Sequence, residues 1–200
     1  MKKYILLLSA IVSIGLTTYF SLLPLNWVSQ ADISNLYTTP ITPAGFTFSI
    51  WSIIYLSWLA LGIYAVVKKP KISKSLRYKL VAAQLLSAAW LVPWHFQYIL
   101  SSMVIMAWVF GFLWQAMWAK KSTDKFFRYT IWLFFGWIAV AALLNLNITL
   151  IDQDLYSNPA LFSAISIAIA GFISMYWIYE KKNYMPLLVL IWALIGIFLK

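Results

Sequence analysis

Long apolar runs alternate with short polar gaps along this chain. Seven such runs stand out, at roughly 4–23, 44–67, 79–98, 101–119, 130–151, 159–179 and 185–200. A helix rises about 1.5 Å per residue, so crossing the hydrocarbon layer of a bilayer takes around 20 residues. All but the last run, Met185 to Lys200, meet that length comfortably. None shows the period-2 alternation of a barrel strand, and backbone groups in lipid must be paired internally, so the runs are expected to be helices. The pattern predicts an all-α, polytopic transmembrane helix bundle with seven spans. The first run follows "MKK", as a secretory leader would, but no A-x-A-like cleavage site comes after it, and a retained helix is expected. The stretch 24–43 carries Pro24, Pro40 and Pro43, which disfavour helix and strand, and reads as a loop over one mouth of the bundle, either lid or slack connection.

Composition agrees with lipid as the solvent. The 200 residues are 64% hydrophobic and 10% charged, where soluble domains are nearer half apolar and a quarter charged. The absence of cysteine excludes disulfides and Cys-based metal sites. A net charge of +10 would suggest nucleic acid in a soluble protein, but the placement of the charges argues against that partner. Of the fifteen Lys and Arg residues, all but Lys200 lie before the first run or in every second gap, Lys120 and Lys121 among them. Asp32, Asp152 and Asp154 occupy the alternate gaps, which contain no Lys or Arg. By the positive-inside rule the N-terminus is expected in the cytoplasm, with the chain in the inner or plasma membrane.

Within the spans the candidate chemistry is aromatic. Trp51, Tyr55 and Trp58 recur at i, i+4 and i+7 on one helix face, with Trp51 about 10 Å below the outer boundary, deeper than the interfacial belt. In the fifth run Trp137, Ala141 and Asn145 form a second stripe, and Asn145 lies roughly 9 Å from the outer end. Together these residues could line a hollow opening outward. The competing reading is ordinary helix packing, with Asn145 in a helix–helix hydrogen bond. Trp27, Trp94, Trp118 and Trp132 lie near span ends and read most simply as interfacial anchors. His95, the single histidine, is a candidate haem or ligand contact, or a hydrated interfacial side chain. Leu61, Tyr64 and Lys68 fit a proposed sterol-contact pattern, which makes a sterol-like guest a further option. A retinal protein is excluded, because every Lys sits in a gap or at a chain end. No phosphate loop, zinc motif or nucleophile elbow occurs.

Three segments resemble the TspO/translocator-protein family, the tryptophan-rich sensory proteins. Pro43 leading into Trp51 and Tyr55 is similar to that family's second helix. Trp137, Ala139, Ala141 and Leu144-Asn145 match its W-x-A-x-A-x-x-L-N spacing, and Gln84-Leu85, Pro93 and Phe96 resemble its third helix. The chain departs from the pattern at Ala88, where the family has Asn, at Trp90, displaced by one position, and at Phe48-Ser49-Ile50, which replaces an aromatic–Gly–Pro step. The resemblance covers roughly residues 4–151. It implies a five-helix core over 1–151 plus two additional helices over 152–200. It also implies an outer cavity, capped by the 24–43 loop, that binds porphyrins or other flat apolar molecules, with dimers common. From the stripes and the resemblance together the expected ligand contacts are Pro43, Trp51, Tyr55, Trp58, Trp90, Trp137, Ala141 and Asn145, and the resemblance adds that some bacterial relatives degrade porphyrin under light through the Trp residues matching Trp51 and Trp137.

The function expected is a membrane sensor or receptor for a tetrapyrrole-like ligand. Porphyrin carboxylates would be drawn to the indole N–H groups, Asn145 and His95. Alternatives are a passive carrier of an apolar solute and a partner subunit without ligand. No covalent cofactor and no metal is expected. No carboxylate pair or activated nucleophile lies within the spans, so general acid–base catalysis lacks an agent.

Overall fold

A computed structural model describes residues 4–23, 25–118 and 125–200. Lys2, Lys3, Pro24, Lys120 and Lys121, which entered the loop and charge arguments, lie outside the described residues. The described chain is all helical, without strands. Its helices are α1 (Ile5–Leu22), α2 (Gln30–Leu36), α3 (Ile50–Lys68), α4 (Lys74–Ala89), α5 (Leu91–His95), α6 (Ile99–Met117), α7 (Lys125–Asp152), α8 (Pro159–Lys181) and α9 (Met185–Phe198). A 3-10 turn at Gly45–Ser49 leads directly into α3.

Five of these elements are long and apolar enough to cross a membrane: α1, Gly45–Lys68, α6, α7 and α8. Two of the seven expected crossings fall short of that standard. The run 79–98 lapses at Trp90 into 16-residue α4 and 5-residue α5. Pro93 is the local cause, because it offers no N–H to the carbonyl of Ala89. The first turns of α4 also carry Lys74, Arg77 and Lys79, which shortens its apolar part. The last run forms a helix of 14 residues, α9, about 21 Å long and so shorter than the hydrocarbon layer.

The loop reading of 24–43 also needs correction, for it contains α2. Ser29 and Asp32 make a capping box: the Ser29 hydroxyl accepts from Asp32 N–H at 3.1 Å, and the Asp32 carboxylate accepts from Ser29 N–H at 3.1 Å. This satisfies two donors that a helix start otherwise leaves open. The three prolines flank the box rather than interrupt it.

α7 is the axis of the bundle. It packs on α6, α9, α3 and α8, and 56% of its apolar window is buried, against 22–33% in the other crossing helices. Bulky Phe134, Phe135, Trp137 and Ile138 fill the space around it, while Gly136 leaves room for Pro186 and Val189 of α9. α1 and α3 approach closely at Gly62, where an added Cβ would lie 2.6 Å from the Leu7 Cα. α1 is pinned to α4 by polar contacts: Ser9 donates to the Gln84 side-chain oxygen at 3.2 Å and Ser13 to the Gln84 carbonyl at 2.8 Å. Leu56, Val67, Phe172 and Tyr179 stand exposed on the outside of the bundle, where lipid would cover them.

Candidate functional site

A cavity of about 350 Å³ lies beneath residues 30–43, near the lower end of the range typical of small-molecule sites. Phe48, Trp51, Trp90, Trp94 and Trp137 supply aromatic walls. Val140, Ala141, Leu144 and Ile148 extend the α7 side, while Ala170 of α8 and Leu190 and Ala193 of α9 close the far side. Pro43 and Thr42, with Gln30, Ser34 and Asn35 of α2, lie at the rim.

The two indoles from separate helices meet. Trp51 and Trp137 stand 6.2 Å apart between centroids, nearly perpendicular at 86°, and Phe48 sets its edge on Trp137 at 6.0 Å. Trp90 and Trp94 stack at 4.8 Å on another wall. Aromatic pairs favour such offset and edge-on arrangements, worth about 0.5–1.5 kcal/mol each beyond area burial.

Six of the candidate contacts, Pro43, Trp51, Trp90, Trp137, Ala141 and Asn145, line this cavity, and the other three do not. Tyr55 stacks against Trp51 at 5.4 Å, and its hydroxyl hydrogen-bonds the Thr17 side chain of α1. Trp58 is fully buried one turn deeper, edge-on to Phe134 at 5.5 Å. His95 is buried away from the hollow, with Nδ1 2.8 Å from the Leu91 carbonyl oxygen. Among the described residues no group of three His, Cys, Asp or Glu is placed to hold a metal ion. Two of the four supposed interfacial anchors are interior instead: Trp94 lines the cavity and Trp132 is buried, whereas Trp27 and Trp118 are exposed.

Asn145 serves both the cavity and the packing. Its Nδ2 donates to the Ser102 hydroxyl of α6 at 3.2 Å, and its carbonyl oxygen lies 3.3 Å from the same hydroxyl. Ser166 of α8 likewise has its hydroxyl engaged, donating to the Phe162 carbonyl at 2.9 Å and accepting from Asn147 at 2.7 Å. The indole N–H groups of Trp90, Trp94 and Trp137 are buried out of reach of the hollow and have no acceptor among the described residues. A guest therefore meets ring carbons rather than indole donors.

Two ties fasten the cover. Tyr37, just past α2, donates its hydroxyl to the Asp152 carboxylate at 3.1 Å. Partial burial, together with that carboxylate, holds the Tyr37 hydroxyl above the usual tyrosine range. The bond therefore stands through neutral pH and is lost as pH rises past that raised value. On the other flank α9 is bound to the rim: Ala44 N–H donates to the Gly196 carbonyl, and the Trp192 indole N–H to the Thr47 carbonyl, both at 2.9 Å.

The 24–43 segment was expected over the cavity but not as a helix, and the contributions of α8 and α9 were missed from sequence. For α2 a signal existed in the spacing Ser29-x-x-Asp32. For Ala170 and Ala193 none did, since small apolar residues on a membrane helix are unremarkable by pattern.

The fold and the hollow define a class: a multi-pass membrane helix bundle enclosing an aromatic-walled, apolar cavity under a helical cover. The family model for TSPO-like protein matches residues 3–200, and the chain belongs to that family. The match runs through α8 and α9, beyond the residues 4–151 that carry the motifs. No curated protein and no solved structure matches the chain.

Proposed function

We propose that this protein is a membrane receptor or sensor that takes a flat, apolar ring ligand of porphyrin type into the cavity beneath the 24–43 cover. The observation carrying this reading is the meeting of Trp51 and Trp137, from α3 and α7, on one apolar hollow. A rigid macrocycle loses little conformational entropy on binding, and indole rings offer it large contact area. In this reading the N-terminus is cytoplasmic and the cavity lies toward the exterior, on the side away from the basic gaps. The same reading has α4 and α5 together make one crossing despite the break, with Trp90 in helical backbone angles (φ −54°, ψ −31°) between them. α9 climbs from the Lys181–Lys182 side to the depth of Thr47.

The test is a titration of purified protein in detergent micelles with protoporphyrin dimethyl ester, followed by Trp emission. Saturable quenching at one ring per chain is expected. Linear, non-saturating quenching, as from ester dissolved in the micelle alone, would remove the receptor reading.

A further inference from the structure

The charge around the cavity narrows what it accepts. Among the described residues, no Lys, Arg, His, Asp or Glu lines it. Its deeper polar groups, Asn145 and Ser166, are already engaged within the protein. The three indole N–H groups that could have received an anion are sealed from the hollow. What lines it is aromatic and aliphatic carbon, which offers an anion no countercharge. A carboxylate placed there would lose its water without gaining a countercharge, which disfavours its entry.

The mouth offers an anion no relief. Asp32 is exposed on α2, and Asp152 and Asp154 stand at the end of α7 beside the cover. The Ser29 hydroxyl and N–H hold the Asp32 carboxyl below its usual range, so it is ionised at neutral pH. Against these three carboxylates Lys200, past the end of α9, is the one Lys or Arg of the chain on this side of the charge pattern.

We infer that the cavity selects ring systems carrying no negative charge, neutral or cationic, and discriminates against carboxylate-bearing ones. This rests on the ring-binding reading above and specifies its ligand class. A macrocycle with free carboxylates would have to hold them at the acidic mouth, where ester or amine-bearing arms meet no like charge.

The experiment compares protoporphyrin free acid, its dimethyl ester and a bis-amide with trimethylammonium arms, each titrated into the full chain in the same micelles. It is repeated with Asn35→Arg, which puts a cation on an exposed rim position. Because the micelles are shared, differences in ligand partitioning cancel between wild type and variant. The expected result is binding of the ester and the cationic amide at least ~10-fold tighter than the free acid. The acid-to-ester ratio of dissociation constants is expected to shrink several-fold in Asn35→Arg. Equal or tighter binding of the free acid by wild type would overturn the inference while leaving the receptor reading intact. So would an acid-to-ester ratio that Asn35→Arg does not move. If none of the three rings binds, the receptor reading fails and the inference fails with it.

Discussion

Replacing Gly196 by valine is expected to lower stability by about 1–3 kcal/mol, the usual range for overpacking, and to abolish saturable ring binding. The backbone of α9 at Gly196 lies directly against Thr47 in the turn that leads into α3. A Cβ there would collide with the Thr47 hydroxyl and stand 2.9 Å from its Cβ and Cγ2. The obstacle is a short branched side chain on a buried turn, so α9 itself must retreat. Retreat breaks the bonds from Ala44 N–H and the Trp192 indole to the partner backbone. It also withdraws Leu190 and Ala193, the wall that α9 gives the cavity. Gly171→Val on α8 is the matched control, because nothing lies within 4 Å of the Cβ it adds. Thermal unfolding in detergent and an ester titration of both variants check this. A Gly196→Val protein that unfolds and binds like Gly171→Val would show that α9 is not part of the site.

The double substitution Trp51→Phe with Trp137→Phe is expected to weaken ester binding by about 10- to 100-fold. Each indole contributes contact worth about 0.5–1.5 kcal/mol beyond area, and every 1.4 kcal/mol is tenfold in affinity. Trp58→Phe should leave affinity unchanged, since Trp58 packs on Phe134 behind the cavity wall. Because these changes alter Trp emission directly, the readout is the porphyrin's own visible absorbance. Loss of affinity in Trp58→Phe equal to that in the double variant would point to general loosening of the bundle.

The stripes at Trp51 and Trp137 illustrate what periodicity can and cannot convey. Residues at i, i+4 and i+7 share a helix face, and in the structure Trp51 of one stripe meets Trp137 of the other across α3 and α7. Periodicity carries no depth, however. One turn below Trp51 the ring of Phe134 closes the space, so Trp58 lies on the same face yet belongs to the core. The helix positions were legible because apolar runs and basic gaps alternate, but their lengths as crossings were not. Pro93 and the charged first turns of α4 shorten one run, and the last is simply brief. The cover was misread because three prolines outweighed the capping pair Ser29 and Asp32. The C-terminal share of the cavity depends on long-range packing of α9 against Gly136 and Thr47, which no local pattern encodes. The sidedness of charge was plain in the sequence, while its meaning for a ligand required knowing that the cavity opens on the acidic side.

The most direct measurement is a structure of the protein determined with protoporphyrin dimethyl ester bound. The ring should be found beneath α2, in contact with both Trp51 and Trp137 and walled by Ala193 of α9. A ring located instead on the exposed outer surface, with the Trp51–Trp137 hollow empty or closed, would contradict the proposed site.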